Sequence, residues 1–92
     1  MTQSTILAPG TSTATSTDIV VGSGSIVTVG MFVTSGVTLQ SDYITVTYKT
    51  PGVDAIVGYI TTASPNLQLN GPGTFRAIRQ GSVTSLGISL EI

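Results

Sequence analysis

The sequence predicts an all-β chain, a small antiparallel β-sandwich or barrel of jelly-roll type with an extended N-terminal arm. Three observations carry that expectation. Val, Ile and Thr fill 35 of the 92 positions, and their stiff, branched side chains suit a pleated surface. Apolar residues alternate with polar ones at period two, while no apolar stripe recurs at the 3.6-residue spacing of a helix. Gly, Pro, Asn and Ser cluster between the alternating runs and read as turns.

Taken in order, strands are expected at 3–8, 16–22, 25–34, 37–40, 42–50, 54–62, 66–70, 73–79 and 83–92. Pro9-Gly10 closes the first of these. The stretch Thr11 to Thr17 is low in complexity, polar and without an apolar face. Residues 1–17 therefore read as a lead-in or as an arm that orders against a neighbouring subunit, anchored by Ile6, Leu7 and Pro9. A single β-sandwich domain is expected over 18–92. Gly22-Ser23-Gly24 joins two strands; it lacks the third Gly, the Lys and the helix of a phosphate-binding loop. The run Ile26 to Val33 is apolar on both faces, which suits a central strand or a subunit contact through Ile26, Met31 and Phe32. In 42–50, Ile44, Val46 and Tyr48 point one way and Thr45, Thr47 and Lys49 the other, the pattern of a half-buried strand. Pro51-Gly52, Ser64-Pro65-Asn66 and Asn70-Gly71-Pro72-Gly73 punctuate the later strands. At the end, Leu86, Ile88, Leu90 and Ile92 alternate with Ser85, Gly87, Ser89 and Glu91.

Composition narrows the chemistry. Charged residues make up 8% of the chain, against about 25% in an ordinary soluble protein. Hydroxyls replace them, with 16 Thr and 11 Ser. Three basic residues against four acidic ones are too few to hold nucleic acid through its phosphates. No apolar run approaches the length of a membrane span, and the N-terminus lacks the basic and apolar regions of a secretory signal. With no His and no Cys, neither a disulfide framework nor the usual zinc, copper or haem ligation is expected, and no cofactor is implied.

Catalysis finds little to work with. Lys49, the single side-chain amine, reads as a solvated lysine at a strand end rather than as a base. Thr2 would serve as an N-terminal nucleophile only after removal of Met1. The carboxylates Asp18, Asp42, Asp54 and Glu91 stand singly, unlike a paired acid and base or a calcium loop. The Thr row at 11, 13, 15 and 17 is too short for a hydroxyl array. The chain is therefore expected not to be an enzyme. The segment Asn70 to Arg79 stands apart, because a Gly/Pro turn leads into a strand with two of the three basic residues. Arg76 and Arg79 either pair with acids such as Asp54 and Glu91, or with rings, or reach an acidic partner surface.

Asn70-Gly71-Pro72-Gly73-Thr74-Phe75-Arg76-Ala77-Ile78-Arg79 resembles the Gly-Pro-Gly-Thr-Tyr-Arg-Val element of small β-structured virion proteins of tailed bacteriophages. Thr17 to Val21 and Ser25 to Phe32 are similar to the opening strands of those proteins. The resemblance implies a particle component made in the host cytoplasm and carried on the virion. The leading expectation is a capsid decoration, or cement, protein bound at the capsid surface across subunit junctions. Its partner would be the major capsid protein or another virion protein, and it would form a homo-oligomer, a trimer being favoured. The expected contact residues are Ile6, Leu7, Pro9, Ile26, Met31, Phe32, Arg76 and Arg79. Alternatives are a tail or fibre module holding a host glycan on Tyr43, Tyr48 and Tyr59, and a neck or tail-tube subunit.

Overall fold

The computed structural model describes residues 3–34, 42–81 and 85–92. In chain order the strands are β1 (Gln3–Gly10), β2 (Ala14–Thr15), β3 (Ile19–Val21), β4 (Ile26–Val33), β5 (Tyr43–Tyr48), β6 (Ala55–Thr61), β7 (Asn66–Asn70), β8 (Gly73–Arg79) and β9 (Leu86–Glu91). No helix occurs among the described residues. The strand expected over 37–40 lies outside them, as does the beginning of the run expected from 83. Two antiparallel sheets face each other as a sandwich and do not close into a barrel. One has the order β1-β9-β4-β7; the other runs β2-β8-β5-β6, with β3 also on β8.

The alternation seen in the sequence decides which side chains meet between the sheets. Val27 and Val29 of β4, Ile44 and Val46 of β5, Ile60 of β6, Leu69 of β7, Phe75 and Ala77 of β8 and Ile88 of β9 form one buried cluster with Ile19 and Val21. Ile6, Leu7, Met31, Leu67 and Leu90 pack against its margin. In an antiparallel sheet, a one-residue slip would turn each of these rows to solvent, so the pattern also fixes the register. Leu86, Ile88 and Leu90 point inward as expected, whereas Ile92 lies past the end of β9 and is exposed.

Residues 3–15 belong to both sheets of their own chain. β1 pairs with β9 from Gln3↔Glu91 to Gly10↔Leu86, with register shifts on either side of Leu7. β2 pairs with the end of β8, and β3 with its beginning. Between them Ser16 spans the gap: its N–H donates to the Ala77 carbonyl at 2.8 Å, and its hydroxyl accepts the Ala77 N–H at 3.0 Å. One edge of β8 is thus covered by two short strands and one serine. The polar Thr/Ser stretch has no apolar face because only Ala14 of β2 turns toward the interior, while the Ser16 hydroxyl completes the backbone pairing of Ala77.

A further expectation is corrected by packing. Thr45 and Thr47 are buried, at 7% and 5% exposure, although they lie on the outer side of β5. This strand is central, and the longer side chains of Ile78, Tyr59, Arg76 and Ile56 stand opposite them on β8 and β6. β4 is a central strand, between β9 and β7, but within the single chain its outer side is not fully buried. Met31 turns toward the core margin, but Ile26 lies on the outer face and is exposed.

Turn chemistry follows the sequence. Gly22 to Ser25 closes with a Ser25 N–H to Gly22 carbonyl bond of 3.1 Å, and Gly24 takes φ +77°, a conformation that costs glycine nothing.

Removing buried methyl groups between the sheets leaves a cavity that the rigid strands cannot fill. Ile44→Ala is expected to cost about 2–5 kcal/mol in urea unfolding. Val53→Ala, at a position 93% exposed, should stay within about 0.5 kcal/mol.

Candidate functional site

The two outer faces of the sandwich differ in chemistry, and that difference defines the candidate sites. On the five-stranded side, β5 contributes Tyr43, Thr45 and Thr47, β8 contributes Arg76 and Ile78, and β6 contributes Ile56 and Tyr59, as the cross-strand pairs require. A register shift between Val46 and Thr47 leaves Val57 as an extra residue on β6, a bulge at the sheet edge. Val20, Ile56, Val57, Tyr43 and Tyr59 are all exposed, Val20 at 75% and Ile56 at 58%. Tyr43 and Tyr59 meet edge to face, with ring centroids 6.2 Å apart.

Four of the chain's charged side chains gather at the end of this face away from the two tyrosines, beside Val20. Arg76 Nε donates to Asp18 Oδ1 at 2.9 Å, Arg76 Nη1 lies 3.7 Å from Asp54 Oδ2, and Lys49 Nζ lies 3.5 Å from Asp18 Oδ2. The hydrogen bond from Arg76 holds the Asp18 carboxyl below its ordinary value, against a smaller opposing effect of desolvation and with help from Lys49. The same bond raises Arg76. Lys49 is thus an ion-pair partner. Asp18 was not among the expected contact residues; its signal was its place on the same outward row as Val20, which lies opposite Thr74.

Arg79 is the main correction. Expected at a contact surface, it is 4% exposed. Its parity on β8 matches Phe75 and Ala77, so it enters the interior at the end of the sandwich. Nε donates to the Ser12 carbonyl at 2.7 Å, and Nη1 donates to the carbonyls of Ala8 at 2.8 Å and Leu86 at 2.7 Å. A Cβ at Gly10 would stand 2.8 Å from Nη2. Pro9-Gly10 is therefore more than a strand end: the glycine leaves room for the guanidinium, while Pro9 itself is exposed. Ile6 and Leu7 serve the chain's own core margin.

The outer face of the four-stranded sheet is mostly polar, with the exposed Ile26 at the end of β4 that pairs with Asn70. Gln3, Thr5, Thr28, Asn66, Gln68, Ser89 and Glu91 occupy its outward positions, with Phe32 as the aromatic exception. The Phe32 ring lies over Gly87, where an added Cβ would fall 2.5 Å from Cζ. Two adjoining hollows of about 300 and 290 Å³ flank this ring. The three tyrosines do not form one platform: Tyr48 packs on Phe75 at 5.4 Å, five residues along β5 from Tyr43 and on the other face.

Among the described residues, no group of three or more His, Cys, Asp or Glu is placed to hold a metal, and no helix is long and apolar enough to cross a membrane. Thr2 lies outside the described residues.

Two substitutions test these assignments. Arg79→Met keeps the bulk but leaves three carbonyls without their donor, and is expected to cost about 3 kcal/mol or more in chemical denaturation. The second concerns acid. A carboxyl whose folded pKa is depressed stabilises the fold above its unfolded value and loses that contribution as pH falls through the folded one. Stability should therefore decline below the ordinary aspartate value of 3.8, and Asp18→Asn should flatten this decline in urea midpoints measured against pH. The chain matches no family model, no curated protein and no solved structure, so its function is read from its own surfaces.

Proposed function

We propose that the chain is a non-catalytic assembly module that docks on a protein surface through the outer face of its five-stranded sheet. The observation that carries this reading is the group of exposed apolar side chains on β6 and its neighbour β5, Ile56, Val57, Tyr59 and Tyr43, in a chain with so few charges. Contiguous apolar surface on a small domain marks an interaction site. Its layout also suits one: tyrosines and branched aliphatics across the sheet, and an ionic cluster of Asp18, Arg76, Asp54 and Lys49 at one rim. Protein interfaces have this arrangement of apolar centre and polar margin, with aromatics and Arg enriched.

Joined to the resemblance of its Gly-Pro-Gly strand to phage virion proteins, the reading becomes specific. The chain is proposed as a capsid decoration protein that seats this face across neighbouring capsid subunits and self-associates on the particle. Binding to the assembled shell alone would stabilise it by linkage. Hydroxyls and short apolar groups are suited to this, since they carry no charge that must be stripped of water on docking.

The test uses capsids assembled without the chain. Purified protein is expected to bind them and to raise their resistance to heat. Tyr59→Lys is expected to weaken binding about tenfold or more, with an unchanged circular dichroism spectrum. No binding by the native protein, or equal binding by the variant, overturns the proposal.

A further inference from the structure

We propose that the opposite face, on the four-stranded sheet, binds a neutral carbohydrate chain, with the Phe32 ring as the surface on which a sugar stacks. This does not depend on the assembly reading, since it concerns another sheet and another class of ligand. Both hollows on this face are bordered by Gln3, Phe32 and Ser89; the second continues past Thr28 to Asn66 and Glu91. The ring therefore stands between two connected depressions on a platform of paired strands, in which the backbone is held rigid. Covering Gly87 accounts for where the ring lies. It does not account for what surrounds it.

The surroundings match a sugar. Pyranose rings present axial C–H groups on one side and hydroxyls around the rim. An aromatic ring takes the first, and planar polar side chains take the second. Gln3 and Asn66 each offer a donor and an acceptor side by side, Glu91 offers two acceptors, the Thr28 hydroxyl can do either, and Ser89, whose hydroxyl donates to the Gly30 carbonyl at 3.4 Å, keeps an acceptor side. Gly30 leaves the floor of the face low beside the ring. A protein partner is less well served, because interface centres are poor in residues such as Glu and Ser. Among the described residues lining the two hollows, Glu91 is the one that carries a charge. A negatively charged sugar or a phosphate would meet it without a compensating cation, so the ligand class is neutral. The open, shallow form implies weak affinity, in the millimolar range for a single short chain.

The experiment is a titration of the isotope-labelled full chain with maltotriose, cellotriose and chitotriose, followed by backbone amide shifts, with a glycan array beside it. Shifts should concentrate at residues 3, 32, 66, 89 and 91. Phe32→Leu keeps an apolar cover over Gly87 but removes the ring, and is expected to weaken binding about tenfold. Gln3→Ala, at an exposed position that the core does not need, should weaken it several-fold with no loss of thermal stability. The proposal is overturned if no neutral sugar gives shifts or array signal. It is equally overturned if binding persists unchanged in both variants, if shifts map to Tyr43 and Tyr59 instead, or if acidic glycans bind better than neutral ones.

Discussion

The guanidinium of Arg79 joins the two sheets at one end of the sandwich, and much else is arranged around it. The residue belongs to β8 of one sheet, yet its donors reach Ala8 in β1 and Leu86 in β9 of the other, and Ser12 in the link between β1 and β2. Burying a cation is costly unless its hydrogen bonds are satisfied. Here backbone carbonyls satisfy them, and in return the chain's first strand is fixed to its last. Gly10 is small because of this group. The path of residues 8–15, from the edge of one sheet to the edge of the other, bends around it. One ionised side chain thus does for the ends of the chain what the aliphatic rows do for the middle.

With that end secured, the two outer faces are free to differ. The inner rows supply most of the apolar burial, which leaves the exposed outer positions open to differ in chemistry. One carries tyrosines and branched aliphatics with ion pairs at its rim; the other carries amides and hydroxyls around one phenylalanine. A domain so poor in charge has weak repulsion from its own copies, which makes an exposed apolar face tolerable chiefly when something covers it.

Much of the fold was legible in the sequence, because period-two alternation and Gly/Pro punctuation are local signals. β4 to β9 fall close to the expected runs, and Leu86-Gly87-Ile88-Ser89-Leu90 shows its inward and outward sides directly. Less was legible where pairing is long-range. Nothing local in Thr11 to Thr17 says that Ser16 completes the ladder of Ala77, or that Ala14 faces inward. Arg79 was misplaced for a related reason: its parity with Phe75 and Ala77 pointed inside, but a charged residue in a charge-poor chain was given to the surface. The apolar face was only half visible. Ala55-Ile56-Val57-Gly58-Tyr59 lacks alternation, which reads equally as a core strand or as an edge strand with a bulge.

The pairing of β1 with β9 has a consequence for how the molecule forms. Gln3 meets Glu91, so this ladder closes nearly the whole chain into one loop, while β5 and β6 close only a short one. Loop closure must be met before the contacts that reward it. During synthesis the first strand emerges long before its partner exists, and it must wait with Ile6 and Leu7 uncovered. The joining of beginning to end is then the natural last step of folding. An unoccupied β9 edge in one copy is open, during that interval, to the waiting β1 of another.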